Sequence, residues 1–139
     1  MVLEGNNALI GIDCGASKVL IQSAKINPNR TIISKGGYCK EYVYSSHPDW
    51  DPSYQPTPID IQIKENNNNS ILIGRAERKQ GDIIVALLQD IIANISGSQI
   101  GICFPGIKDD NGVTILANGP RIPELSLIHI SEPTRLLRI

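Results

Sequence analysis

Residues 8–12, Ala-Leu-Ile-Gly-Ile, form a nearly unbroken apolar run, the pattern of a short strand covered on both faces, and Asp13 ends it. Val19 to Ile26 is again rich in β-forming residues. Asn27-Pro28-Asn29-Arg30 then supplies turn chemistry leading into Thr31 to Ser34. These segments predict a three-strand antiparallel meander.

From Lys40 to Ser70 the pattern dissolves: four prolines fall between Pro48 and Pro58, and Asn66 to Asn69 make a polar tract. Irregular structure is expected there. Within it, Ile59, Ile61 and Ile63 alternate with polar residues and Ser70 to Ile73 turns apolar again, which predicts a hairpin closed by the asparagines. The strongest helical spacing follows. Ile84, Leu87, Leu88, Ile91 and Ile95 share one face, with Asp82 near the start and Gly97 past the end, predicting a helix from Glu77 to Ser96. Gln99 to Phe104 is a further apolar run, stopped by Pro105-Gly106. A strand reached through a crossover helix pairs in parallel with an earlier one, so the expected fold is α/β.

Composition narrows the function classes. The chain has 139 residues, 41% of them hydrophobic, enough for one core. Its 13 basic and 14 acidic residues leave a net charge of -1, which gives no footprint for nucleic acid or an anionic membrane surface. No apolar run reaches the roughly 20 residues of a membrane span, and the start, MVLEGNN, lacks the features of a secretory signal, so a cytoplasmic protein is expected. Cys14, Cys39 and Cys103 are odd in number and far apart, which argues for reduced, buried residues over disulfides or zinc. His47 and His129 have no neighbouring ligand partners and are read as solvated or satisfied.

The first strand runs into Asp13-Cys14-Gly15-Ala16-Ser17-Lys18. A tight turn of small residues gathers backbone N–H groups into an anion-binding concavity that a larger side chain would block. Gly15 and Ala16 leave that space, Ser17 adds a hydroxyl, Lys18 a cation, and Asp13 suits a hydrated magnesium ion. The same pattern also fits an ordinary hairpin turn with a capping aspartate.

A second segment, IGICFPGIKDDNGVTILANGPRIPE (100–124), joins a strand ending in Pro105-Gly106 to an Asp109-to-Gly112 turn, a β-rich Val113 to Leu116, and Ala117-Asn118-Gly119-Pro120. The two segments together resemble the ROK family (repressors, open reading frames and sugar kinases) of the actin-like, sugar kinase and heat-shock ATPase superfamily. Its first motif reads roughly I-G-I-D-x-G-G-T-K, with Ala16 and Ser17 here as small and hydroxyl-bearing replacements. Its later motif reads roughly I-G-x-x-x-P-G-x-x-D followed by glycine and asparagine, matched by Gly101, Pro105, Gly106, Gly112 and Asn118.

The resemblance covers residues 8–40 and 77–124. It implies a ribonuclease-H-like, actin-type ATPase lobe, in which a three-strand antiparallel meander is joined through a crossover helix to a parallel fourth strand. It also implies ATP and magnesium as cofactors and a hexose or amino-hexose as phosphoryl acceptor. Carried over residue by residue, Asp13 would hold the metal and Gly15, Ala16, Ser17 and Lys18 the phosphates. Asn118 and Gly119 would face the sugar, and Pro105-Gly106 would shape the substrate loop. The whole protein is expected to be a homo-oligomer.

The family's catalytic base sits in a downstream asparagine-aspartate motif, followed by an adenosine-binding lobe and often a histidine and cysteine zinc motif; none is in this sequence. Asp109 and Asp110 belong to the turn with Asn111-Gly112. These 139 residues are therefore expected to be inactive alone. A sugar-responsive repressor or a pseudo-kinase is the alternative, but family repressors carry a helix-turn-helix before the phosphate strand. An acyl-coenzyme A dehydratase activator of the same superfamily would need an iron-sulfur cysteine motif that the sequence lacks.

Leu125 to Arg135, LSLIHISEPTR, matches the conceptual translation of a sequencing-library transposase adapter, and the fit extends through Ile139. Residues 1–124 are thus expected to be a native lobe, with an insert at about 40–76, and 125–139 a non-native tail that removes His129 from any site. Codons there that differ from the adapter would refute this. Apolar surface should be exposed where a second lobe packs. Five of the six aromatic residues, Tyr38, Tyr42, Tyr44, Trp50 and Tyr54, cluster between residues 38 and 54, either to stack on sugar or close a lid or, as favoured, to pin the insert to the lobe or to a second subunit.

Overall fold

The structure, a computed structural model, describes residues 9–95, 99–109 and 112–123. Strand β1 (Leu9–Cys14) pairs antiparallel with β2 (Lys18–Ile26), and β2 pairs antiparallel with β3 (Ile33–Val43). Helices α1 (Ile59–Asn67) and α2 (Arg75–Ala93) follow. Strand β4 (Gln99–Cys103) then lies parallel to β1, with Ile10 opposite Ile100 and Asp13 opposite Cys103. The sheet order is β3-β2-β1-β4, and β5 (Ile107–Asp109) with β6 (Gly112–Ile115) makes a separate two-stranded hairpin. The fold is mixed α/β, with the expected meander, crossover helix and parallel fourth strand.

Strand β1, expected to be covered on both faces, is covered on only one, and alternation along it separates a buried face from an open one. Ile10, Ile12 and Cys14 are buried, while Gly11 and Asp13 are exposed. The buried face joins Val19 and Ile21 of β2 to Ile84, Leu88, Ile91 and Ile95 of the predicted helix face and to Ile92, which the spacing did not mark, together with Val113, Leu116 and Ile122, while the predicted Leu87 is only partly buried. Full burial of a leucine such as Leu88 stabilises by about 1.5–3 kcal/mol. Helix α2 begins two residues before the expected Glu77 and ends at Ala93, where the Asn94 N–H donates to the Asp90 and Ile91 carbonyls and the Ile95 N–H to that of Ile92; the expected stop at Gly97 lies outside the described residues.

Three further expectations are corrected. First, β3 runs to Val43, so the expected irregular stretch from Lys40 begins inside a strand. An irregularity between Gln22 and Ala24 shifts the register of this long pairing, from Gln22 opposite Cys39 to Ala24 opposite Lys35. There the Ser23 hydroxyl accepts from the Tyr38 N–H at 2.9 Å, and a Cβ at Gly36 would come within 2.3 Å of that hydroxyl, so only glycine fits. Second, residues 59–67 form helix α1 instead of a hairpin strand. Its alternating isoleucines are each about 40% exposed, while Gln62 between them is fully buried. Pro58 precedes the first helical turn and Asp60 sits within it, where each favours a helix start. Third, only Cys14 is buried; Cys39 and Cys103 are exposed on the open side of the sheet.

The aromatic segment packs onto the lobe, as favoured. Tyr38, Tyr42 and Trp50 lie against the core, and the Tyr44 and Trp50 rings sit 5.3 Å apart. The Gln80 carboxamide of α2 bonds both the Asp51 N–H and carbonyl at 3.1 Å. No described helix is long and apolar enough to cross a membrane. Asp110, Asn111, Glu124 and the tail with His129 lie outside the described residues.

Candidate nucleotide and sugar site

Strands β1, β3 and β4 share one direction, so Cys14, Val43 and Cys103 end at the same edge of the sheet. Asp13 and the 15–18 turn sit on that edge. Asp13 is still within β1, opposite Leu20 and Cys103, with an exposed carboxylate that forms no hydrogen bond or ion pair among the described residues.

The turn is narrow and tied down. The Gly15 N–H donates to the Lys18 carbonyl at 2.8 Å, the Tyr44 N–H to the Ser17 carbonyl at 3.0 Å, and the Tyr44 hydroxyl to the Gly15 carbonyl at 3.1 Å. These bonds engage the carbonyls of Gly15, Ser17 and Lys18. Ala16 and Ser17 are exposed, and their amides find no acceptor among the described residues. The tip thus presents donors next to an unpaired carboxylate, chemistry that suits a polyphosphate with its metal.

Lys18 does not point its charge at this tip. Its Nζ bonds Glu41 Oε1 on β3 at 2.5 Å, and that contact raises the lysine pKa above its ordinary value. The pair is exposed, so a competing anion could exchange for Glu41 at little cost. Behind the turn, burial first and then the charge of Asp13 push the Cys14 thiol up to about 12, so it packs as a neutral group. Burial likewise raises the Tyr44 phenol, with Cys14 and Asp13 adding to the effect, which keeps its hydroxyl a donor.

Phe104, Pro105 and Gly106 leave β4 at the same edge. Gly106 has φ +96°, and a Cβ there would lie 2.6 Å from the Ile115 carbonyl oxygen, so the β5–β6 hairpin requires glycine. Gly106 is exposed, and Pro105 before it is half-buried. Asn118 also has a positive φ, 62°, at the exposed tip of the turn after β6, and Gly119 beside it is buried.

Two clefts lie outside the turn. One, of about 590 Å³, is lined by His47, Asp49 and the start of α2; the other, of about 240 Å³, lies between β3 and the end of α2. Residues 13–18 line neither. His47 is exposed, with Nδ1 accepting the Asp49 N–H at 3.1 Å, so it is satisfied locally. Among the described residues no three His, Cys, Asp or Glu side chains converge on a metal position.

The sequence did not disclose the buried polar supports. Arg121, 1% exposed, is held by Glu77 and Glu65, and Gln62 grips the backbone of Leu116. Charged and amide side chains read as surface residues unless their partners, 44 to 56 positions away, are known.

Comparison of the chain with family models, with curated proteins and with solved structures gives no match. The functional assignment therefore rests on the motifs and the geometry.

Proposed function

We propose that this chain is the first lobe of an ATP-dependent sugar kinase, with an actin-type nucleotide edge and a hexose or amino-hexose acceptor. The observation that supports this reading is the exposed 15–18 turn, whose Ala16 and Ser17 amides have no acceptor among the described residues and which follows closely on Asp13, itself exposed and unpaired among them. Those amides and the Ser17 hydroxyl bind the terminal phosphates of ATP. Asp13 holds a hydrated magnesium ion. A single carboxylate fits that ion, which keeps most of its waters and takes its remaining ligands from phosphate. Bound there, magnesium supplies charge neutralisation for the phosphoryl group being transferred.

Asn118, at the tip of its turn, hydrogen-bonds the sugar, and Pro105-Gly106 shapes the acceptor loop. A second lobe would bring the base that accepts the hydroxyl proton. The test is to express the complete reading frame and supply magnesium, ATP and a panel of hexoses and amino-hexoses. ADP formation that falls about a hundredfold or more in Asp13→Asn is expected for an electrostatic contact to the reacting phosphates. Absence of ADP with every sugar would refute the assignment.

A further inference from the structure

We infer that Gln62 and Arg121 are positioning residues that fasten the two feet of the 117–120 turn and so present Asn118 to the sugar; this rests on the sugar-kinase reading above. The first foot is Leu116. Its N–H donates to Gln62 Oε1 at 2.7 Å and its carbonyl accepts from Gln62 Nε2 at 3.0 Å, the same Nε2 donating to the Thr57 carbonyl at 2.6 Å. A fully buried carboxamide thus stands in for a neighbouring strand. The second foot is Arg121. Its N–H and Nε donate to Glu77 Oε2 at 2.9 and 3.0 Å, and Nη2 to Glu77 Oε1 at 3.0 Å. Nη1 meets the Glu65 carboxylate, and Nη2 also reaches the Leu72 carbonyl at 3.0 Å. Ile122, next along, exchanges backbone bonds with Val113 at 2.9 and 3.2 Å.

Between these feet only Ala117 and Asn118 are exposed. Asn118 occupies the left-handed region, a conformation that costs a non-glycine residue energy and persists where its surroundings over-determine it. The supports themselves are a poor way to gain stability. Burying a guanidinium with two carboxylates costs heavily in desolvation, and apolar replacements of such clusters are often neutral or better. Burial lowers the Arg121 pKa, but the hydrogen bonds and charges of Glu77 and Glu65 outweigh it and raise the value, so the guanidinium stays charged. What the cluster and Gln62 do provide is one fixed trajectory for a short exposed turn, drawn from both helices.

The test uses the complete protein with Asn118→Ala, Gln62→Leu, the double variant and Arg121→Lys. Asn118→Ala should raise the sugar KM about tenfold, the worth of a hydrogen bond to substrate, with the ATP KM unchanged. Gln62→Leu and Arg121→Lys should each raise the sugar KM about threefold or more, again sparing ATP, because the carboxamide is present but misplaced. The double variant should bind sugar no worse than Asn118→Ala alone, since the group Gln62 aims has gone. Sugar effects that simply add, or losses spread equally over sugar and ATP, would overturn the inference. Should Gln62→Leu fail to fold, Gln62→Glu, which keeps the acceptor for Leu116 and loses the donor, replaces it. Amide exchange gives a readout independent of turnover: Asn118 and Gly119 should exchange faster in the Gln62 variant while β1 and β2 are unaffected, and unchanged exchange would also overturn the inference. An unaltered sugar KM in Asn118→Ala would instead remove the sugar role of Asn118, and the positioning role with it.

Discussion

The hydroxyl of Tyr44 reaches back 29 residues to the carbonyl of Gly15, at 3.1 Å, and so joins the end of β3 to the turn after β1. Tyr44 is 2% exposed and stacks near Trp50, so the bond is made in a setting with little water to replace it. Tyr44→Phe keeps the ring and the backbone bond to Ser17 and removes this one contact. The expected cost is about 1 kcal/mol in denaturant unfolding, with weaker binding of magnesium-ATP. An unfolding midpoint and nucleotide affinity both equal to wild type would show that the turn holds its shape without it.

Lys18 offers a separate test, because its ammonium is paired with Glu41 instead of the turn. An exposed pair of this kind adds little to stability, so Lys18→Ala should leave the melting temperature unchanged. Glu41→Gln frees the cation for the phosphates and should tighten magnesium-ATP binding at low salt. High salt should erase that gain, because the interaction is exposed and screened. Weaker nucleotide binding in Glu41→Gln would contradict this placement of charge.

The three cysteines should react in two groups. At neutral pH iodoacetamide should alkylate the exposed Cys39 and Cys103 and spare Cys14 until the protein unfolds. The Cys14 thiol also predicts a pH dependence. Its folded pKa is raised from 9.0 to about 12, so its contribution to stability is complete below about pH 9 and is lost as pH climbs toward 12, where the unfolded chain releases the proton more readily. Cys14→Ala should therefore flatten the decline in stability over that window. A slope identical to wild type would place the titration elsewhere, with the buried Tyr54 phenol, also pushed up to about 12 by burial and the charge of Glu77, the next group to examine.

Strands β1, β2 and β4 and helix α2 were legible because each carries a concentrated apolar signal bounded by turn residues, although the unbroken run of β1 did not reveal that one of its faces stays open. Ile84, Leu88 and Ile91 meet Ile10, Ile12 and Ile21 as their spacing requires. Helix α1 was not legible, since Ile59, Ile61 and Ile63 repeat every second residue and remain half-exposed in a helix that is held by Gln62 and Glu65. Tertiary partners decided that segment. The same holds at the candidate site. Small residues after Asp13 announced the turn, but neither its anchor Tyr44 nor the diversion of Lys18 to Glu41 could be read from local sequence. Arg121 lies within the family-like segment, yet only the fold reveals that its charge is buried between α1 and α2.

The most direct measurement of the central claim is a titration of the ¹⁵N-labelled complete protein with magnesium-ATP, following the amide resonances of Ala16 and Ser17. The account predicts that these two amides move with saturating nucleotide, that the shifts require magnesium, and that Asp13→Asn weakens them together with binding. Nucleotide binding that leaves both resonances in place would contradict it.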